Sequence, residues 1–269
     1  MTNPYLITEP TAISFSGGRT SAYMLWKVLE ANGGKLPDEA VVTFANTGKE
    51  MPQTLDFVQA CSDNWGVDIV WLEFISRKLP PRIVDYKAAS RKGEPFDLLT
   101  TEKNYLPNPR MRFCTTELKI IPIQKYMTSI GHKEFITAVG IRADEPRRVA
   151  KQKIKDDYIV PLADDGVSIE TIRDFWESQP FGLNLPMMQD GTSNASNCDL
   201  CFLKGRKIRA SIMRENPDLS DWWAAQEKKI GGRFRKDQIS YSDMKVIATD
   251  QPNLFNFSED ESIPCFCGD

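Results

Sequence analysis

The sequence predicts an α/β fold, a parallel sheet with helices on both faces, followed by a helical, cysteine-bearing C-terminal region. Three observations carry this. Apolar, β-branched runs at 40–44, 67–74 and 133–139 alternate with segments of helical periodicity across short turns, as strands buried beneath crossover helices do. The first unit, Ile13-Ser14-Phe15-Ser16-Gly17-Gly18-Arg19-Thr20-Ser21, breaks from an apolar run at two glycines and resumes as a helical pattern through Ala22, Leu25, Val28 and Leu29. Beyond about residue 164 the strand signals stop and helices and loops take over.

The 269 residues carry a formal net charge of −3, so the chain can bury a sizeable core and has no general electrostatic footprint for nucleic acid. No apolar run approaches membrane-spanning length. Residues 1–10 lack a basic n-region and an apolar h-region, so no secretory signal is expected and the protein reads as cytoplasmic. Six cysteines without such a signal suit metal or redox chemistry better than a disulfide scaffold.

Taken in order, the glycines at 17 and 18 let backbone approach a ligand with no Cβ in the way. The first amides of the helix that follows have no partner inside it and, with the helix dipole, attract an anion. Ser16, Thr20 and Ser21 add hydroxyls and Arg19 a positive charge. A Walker loop is excluded, because its Gly-Lys-Ser/Thr ending is absent. The run at 40–44 is a second strand, ending in the polar turn Ala45-Asn46-Thr47-Gly48-Lys49-Glu50. Pro52 suits the first turn of a helix carried by Leu55 and Val58 to Trp65, and 67–74 supplies a third strand. Ligands of such sheets sit outside the carboxyl ends of the strands, so the turns at 16–21 and 46–50 are expected to face one cleft. The polar, proline-bearing segment 82–109 reads as an extended excursion, either over the cleft or as a surface insertion. Residues 118–127 are helical, 133–139 form a strand and 158–162 an edge strand. Ser168 caps a helix to Trp176, 187–197 is a polar loop, 204–215 a basic helix, Ser220 caps the next, and 240–248 is the last. The division is 1–163, a nucleotide-binding half, and 164–269, a helical half wrapped on it.

Four segments together resemble the phosphoadenosine-phosphosulfate (PAPS) reductase branch of the adenine-nucleotide alpha-hydrolase (PP-loop) family. They are the loop at Ser16; Asn46-Thr47-Gly48-Lys49-Glu50; Arg112-Phe113-Cys114-Thr115-Thr116-Glu117-Leu118-Lys119 with Pro122; and Gly140-Ile141-Arg142-Ala143-Asp144-Glu145 with Arg147 and Arg148. Thr20 stands where many members carry Asp, which counts against Mg-ATP pyrophosphatase activity. The resemblance implies a nucleotide site of Ser16, Gly17, Gly18, Arg19, Thr20, Ser21, Asn46, Thr47, Gly48, Glu50, Arg112, Lys119, Gly140 and Arg142. The arginines suit it, since a planar guanidinium donates two hydrogen bonds to one anionic group. Arg142, at a strand end, is the favoured one and a candidate catalytic residue. Glu50 would serve a ribose hydroxyl, a magnesium ion or Lys49.

Cys198-Asp199-Leu200-Cys201 has a spacing that lets both sulfurs bind one metal centre. In the related adenosine-phosphosulfate (APS) reductases, the segment matching Cys114 carries ligands of a 4Fe–4S cluster. That resemblance implies a cluster on Cys114, Cys198, Cys201 and a tail cysteine, Cys267, with a four-thiolate zinc site as the alternative. Cys61, on the apolar side of a helix, is expected to be core packing; His132, the one histidine, offers no dyad. Sulfonucleotide reductases attack sulfur with a C-terminal cysteine, so Cys267 or Cys265 is the candidate nucleophile, served by a thiol reductant such as thioredoxin. The basic runs at 204–209 and 233–236 could touch nucleic acid but suit solvated helix faces better. The readings that follow are an enzyme acting on PAPS or APS, an ATP-using nucleic-acid thiolation enzyme, and a non-catalytic nucleotide-binding module with structural zinc. No membrane partner is expected, and an oligomer is left open.

Overall fold

A computed structural model of the chain describes residues 3–188, 198–250 and 263. Its α/β architecture agrees with the fold class read from the sequence. β1 (Thr11–Ser14), β2 (Ala40–Asn46), β3 (Ile69–Glu73), β4 (Arg82–Val84), β5 (Ile136–Val139) and β6 (Tyr158–Ile159) form one sheet in the order β4-β3-β2-β1-β5-β6. All neighbours are parallel except β3 and β4. The chain begins in the middle of the sheet, builds outward through β2 and β3, then crosses back to place β5 on the other side of β1. Thr11 pairs with both Ala40 and Ile136, and the register holds to Ser14 opposite Thr43 and Val139, so the carboxyl ends of the three strands lie together. Ala12, Ile13, Val42 and Ala138 are fully buried, as expected of parallel strands covered on both faces.

The helices start and stop where the backbone demands it. α1 (Arg19–Ala31) buries Ala22, Leu25, Val28 and Leu29. α2 (Pro52–Trp65) opens on its proline and ends on Gly66 in the left-handed region, φ 61°, the ordinary proline-in, glycine-out asymmetry. Segment 82–109 is not an irregular excursion. It holds the antiparallel strand β4 and the helix α3 (Glu94–Lys103). Gly93 and Pro95, which look like breakers, delimit that helix: Gly93 precedes it at φ 83° and Pro95 sits in its first turn. Segment 113–129 is one helical run, made of α4 (Phe113–Thr115), a π-turn (Thr116–Ile120) and α5 (Ile121–Ser129). The edge strand expected at 158–162 ends at Ile159, because Pro161 opens the short helix α7 (Pro161–Asp164). α6 (Pro146–Lys153) precedes β6, and α8 (Ile169–Ser178), α9 (Arg206–Glu215), α10 (Leu219–Ile230) and α11 (Tyr241–Asp250) follow α7. Ser220 does not cap α10, which begins one residue earlier; its hydroxyl donates to the Pro217 carbonyl.

Two main cores result. The first lies on the sheet around Phe15, Leu25, Val42, Phe44 and Phe57, and takes in Val167, Ile172, Trp176 and Leu183 from beyond β6. The second joins α3 and Leu118 to the C-terminal helices through Phe96, Leu99, Phe202, Trp223, Phe234 and Tyr241, with Cys198 and Cys201 among its members. The basic runs are partly consumed here. Lys204, Arg209 and Phe234 are buried; Lys204 Nζ donates to the Cys198 and Asp199 carbonyls, and the Arg209 guanidinium donates to Gln238 Oε1.

Gly17 sits at φ 80°, and a Cβ there would lie 2.6 Å from Thr54 Cγ2; Gly34, at φ 82°, has open space around it. Both positions carry left-handed strain for an alanine, but only the first adds overlap within a packed interior. Gly17→Ala is expected to cost about 1–3 kcal/mol more than Gly34→Ala, read as the difference between their urea unfolding midpoints.

Candidate active site

The turn after β1 is held closed by its own serines. Ser21 Oγ accepts from the Ser16 amide (3.1 Å) and pairs with Ser16 Oγ (2.8 Å), while its hydroxyl donates to the Gly18 carbonyl (3.0 Å). The first helical bond of α1 runs from the Ala22 amide to Gly18 O at 3.1 Å. Amides before it have no partner within the helix and face outward at its positive end. Gly140, after β5, lies against this turn: a Cβ there would be 3.0 Å from Ser21 Cα and 3.2 Å from its amide nitrogen. The lack of a side chain at 140 leaves the start of α1 uncrowded where the two strand ends meet.

Over this junction opens a cleft of about 720 Å³. Its floor is Ser14, Ser16, Ser21, Val139 and Gly140, one wall is the helical run from Phe113, and the rim is α6 with Tyr158. That is the crevice where the strand order reverses, the usual ligand position in open parallel sheets. Six cationic residues line it, Arg110, Arg112, Lys119, Arg148, Lys151 and Lys155, and no Asp or Glu is in the lining among the described residues. The π-turn contributes Thr116, Lys119 and Ile120 to the wall; such one-residue insertions recur at functional sites. Glu117, on the same turn, is buried away from the cleft against Lys103 (2.8 Å) and Arg77 (3.2 Å). Burial and then the Asp157 carboxylate push the Tyr158 phenol up, so it presents a neutral hydroxyl.

The residues singled out in the sequence divide. Ser16, Ser21, Arg112, Lys119 and Gly140 line the cleft. Gly17, Gly18 and Thr20 shape the turn without lining it, and the Arg19 guanidinium donates to the Leu183 carbonyl at 3.0 Å. Arg142 stands behind the loop. It donates to Asp144 (2.9 Å) and to Thr20 Oγ1 (3.3 Å), and Glu145 is 3.8 Å away. Arg148, nine-tenths buried on α6, lines the cleft instead, and Glu145 contacts both its guanidinium and the Arg142 amide. Lys151, Lys155 and Arg110 carried no motif. The legible signal was the acid-free stretch 146–155 straight after the Gly140 segment.

Asn46, Thr47, Gly48 and Glu50, expected from their strand-end position to share one cleft with the Ser16 turn, are not in its lining. β2 lies on the side of β1 away from β5, and the second core covers its end. Asn46 is fully buried, donating to Glu73 Oε1 (2.7 Å) and the Ser90 carbonyl (2.9 Å). Glu50 accepts from the Thr47 amide (3.0 Å), the Thr47 hydroxyl (2.8 Å) and the Lys49 amide (3.2 Å), and its backbone bridges to Cys198. Lys49 and Asp199 make a buried ion pair at 2.8 Å, with Trp223 Nε1 donating to the same Asp199 carboxylate at 2.7 Å.

Of the thiols, Cys61 is wholly buried and burial pushes its pKa up, which fits core packing. Cys114, Cys198 and Cys201 all border the second core. Cys114 lies between Phe113 and Thr115, which line the cleft, but is not itself in the lining. Among the described residues no three His, Cys, Asp or Glu side chains are grouped so as to hold a metal ion. Cys265 and Cys267 lie outside the described residues. The described thiols therefore do not by themselves make a cluster or zinc site.

Residues 10–157 match the family model described as "Phosphoadenosine phosphosulfate reductase domain". The chain is 32% identical over 205 residues to the "Uncharacterized nin region protein ORF290" of Escherichia phage lambda, a span covering 71% of this chain and 65% of that protein. It is 27% identical over 155 residues to the "Uncharacterized protein MJ0066" of Methanocaldococcus jannaschii, covering 57% of this chain and 27% of that protein. The chain thus spans less than two thirds of the length of either relative.

Two outcomes follow from the geometry. Arg148→Ala is expected to weaken binding of inorganic pyrophosphate by about 1.5–3 kcal/mol, and Arg142→Ala by less, in isothermal titration calorimetry; equal losses would remove the distinction between them. Lys49→Met leaves Asp199 buried without its cation and is expected to cost about 3–5 kcal/mol of folding stability, measured by urea denaturation.

Proposed function

The chain belongs to the phosphoadenosine phosphosulfate reductase domain family, and on that premise we propose that it is an enzyme acting on an adenine sulfonucleotide, PAPS or APS, in the cleft between β1 and β5. The observation that carries this reading is the cleft's lining, six cations and no carboxylate among the described residues. Such a lining neutralises a phosphosulfate by side chains directly, and it offers no carboxylate to share a magnesium ion with ATP.

In this reading the outward amides of the Ser16 turn take the phosphate next to the ribose, as helix N-termini do. Arg112, Lys119 and Arg148 surround the acidic chain, and the neutral Tyr158 hydroxyl donates to it. Phe113, Ile120, Ile123 and Ile141 give the adenine apolar surface. The cations stabilise charge that grows on the bridging phosphate oxygen as its bond to sulfur breaks. A cysteine thiolate attacks that sulfur, the nucleotide leaves with the bridging oxygen, and the enzyme holds a thiosulfonate. An external thiolate then attacks the cysteine sulfur, expelling sulfite and forming a mixed disulfide. A second external thiol resolves it, so two thiols are oxidised for each sulfite released. Cys267 and Cys265 are the candidate nucleophiles. They follow Ile263, whose amide donates to the Leu203 carbonyl at 2.8 Å.

The test is anaerobic incubation of the full chain with APS or PAPS and excess dithiothreitol. Sulfite and the desulfated nucleotide, AMP from APS or adenosine 3′,5′-bisphosphate from PAPS, are expected in equal amounts, with release lost in Cys267→Ser or Cys265→Ser. Absence of sulfite from both substrates, together with pyrophosphate release from ATP that depends on added nucleic acid, would replace this reading with ATP-dependent thiolation.

A further inference from the structure

Glu50 lies at a joint between two places that the proposed chemistry treats separately. Its side chain is 1% exposed and stands 3.8 Å from Lys119 Nζ, a cation of the cleft wall. The same carboxylate gathers the 46–50 turn by accepting from both the amide and the hydroxyl of Thr47 and from the Lys49 amide. The outer side of that turn holds the Cys198–Cys201 loop. Glu50 bridges to Cys198, the Asp199 amide donates to the Lys49 carbonyl at 2.7 Å, and Thr47 Oγ1 is 3.6 Å from Cys198 Sγ. Neither Glu50 nor Thr47 is in the cleft lining.

We propose that Glu50 is a positioning residue: it orients Lys119 in the cleft wall and, through the turn it closes, couples occupation of the cleft to the tightness with which the Cys198–Cys201 loop is held. The coupling rests on the reading of the cleft as an anion site, and its direction follows from the bonding. An anion in the cleft competes with Glu50 for Lys119. The buried carboxylate then leans harder on its remaining donors, the Thr47 hydroxyl and the Thr47 and Lys49 amides, because an under-solvated charge is costly. That tightens the turn whose Lys49 carbonyl receives the Asp199 amide. By linkage, a firmly held loop must in return favour the anion. This gives the Asn-Thr-Gly-x-Glu segment a mechanical role instead of direct contact with the nucleotide.

Hydrogen exchange of the full chain, with inorganic pyrophosphate as the probe, reads this directly. Saturating pyrophosphate is expected to slow exchange of the Asp199 amide by about fivefold. Glu50→Gln keeps an acceptor for the turn but loses the charge facing Lys119. It is expected to leave exchange without pyrophosphate unchanged, to tighten pyrophosphate binding by about fivefold because the competing charge is gone, and to abolish the slowing. Lys119→Met should abolish the slowing even if Glu50→Gln does not fold, and Lys119→Arg should restore it, which a merely structural role for this position would not require. Pyrophosphate that binds the wild type while the Asp199 amide exchanges at an unchanged or faster rate overturns this inference alone. Failure of pyrophosphate to bind at all overturns it together with the reading of the cleft.

Discussion

Everything at the candidate site depends on a steric allowance between two strand ends. The carboxyl ends of β1 and β5 lie side by side with no side chain at Gly140, where a Cβ would be 3.0 Å from Ser21 Cα and would push the start of α1 back by a few tenths of an ångström. Gly17 gives the same freedom on the other side of the turn, against Thr54 and Phe44. With both in place, the first amides of α1 open into the crevice made by the reversal of strand order, and the cations of the 109–119 segment and of α6 close around it. The cleft's chemistry is thus set by backbone proximity first and by side-chain charge second.

The C-terminal region is attached by a different kind of force. The end of β2 carries polar groups that would be costly to bury alone, and the loop at 198–204 supplies their partners. Lys49 finds Asp199, whose carboxylate Trp223 and the Leu200 amide complete, and Lys204 braces the loop through its own Cys198 and Asp199 carbonyls. A buried ion pair of this kind adds little net stability over an apolar contact but is severe to break. It specifies one docking arrangement for the second core. The four-residue cysteine motif therefore arrives at a defined place beside the Thr47 turn, and the segment that looks like a nucleotide-contacting motif is occupied in holding it.

The fold class was legible because strand and helix alternation are local, and the Ser16 turn announced itself through two glycines between an apolar run and a helical one. What local pattern could not reveal was which side of β1 each later strand would take. Placing β5 next to β1 aligned Gly140 and Arg148 with the Ser16 turn and left Asn46 and Glu50 out of the cleft lining, beneath the second core. The sequence favours Arg142, at a strand end, over Arg148; the structure differs because Asp144 and Thr20 hold Arg142 while α6 carries Arg148 into the crevice. Segment 82–109 was opaque for a related reason. α3 buries Phe96 and Leu99 against residues more than a hundred positions later, so its own periodicity is weak. The Lys204 and Arg209 charges looked solvated because folding turns the first back onto two carbonyls of its own loop and brings the second to Gln238, on a later segment.

The sheet also has a bearing on how the molecule behaves among its copies. Its margins are β4, with three residues, and β6, with two. β4 begins at Arg82, whose guanidinium pairs with Glu73 on the neighbouring strand. A margin this brief, with a charged group anchored along it, exposes few hydrogen-bonding groups in register, and long unprotected margins are what let sheets recruit further chains. At high concentration the folded protein is therefore protected against growing edge to edge into fibrils, a hazard that its apolar central strands would otherwise carry.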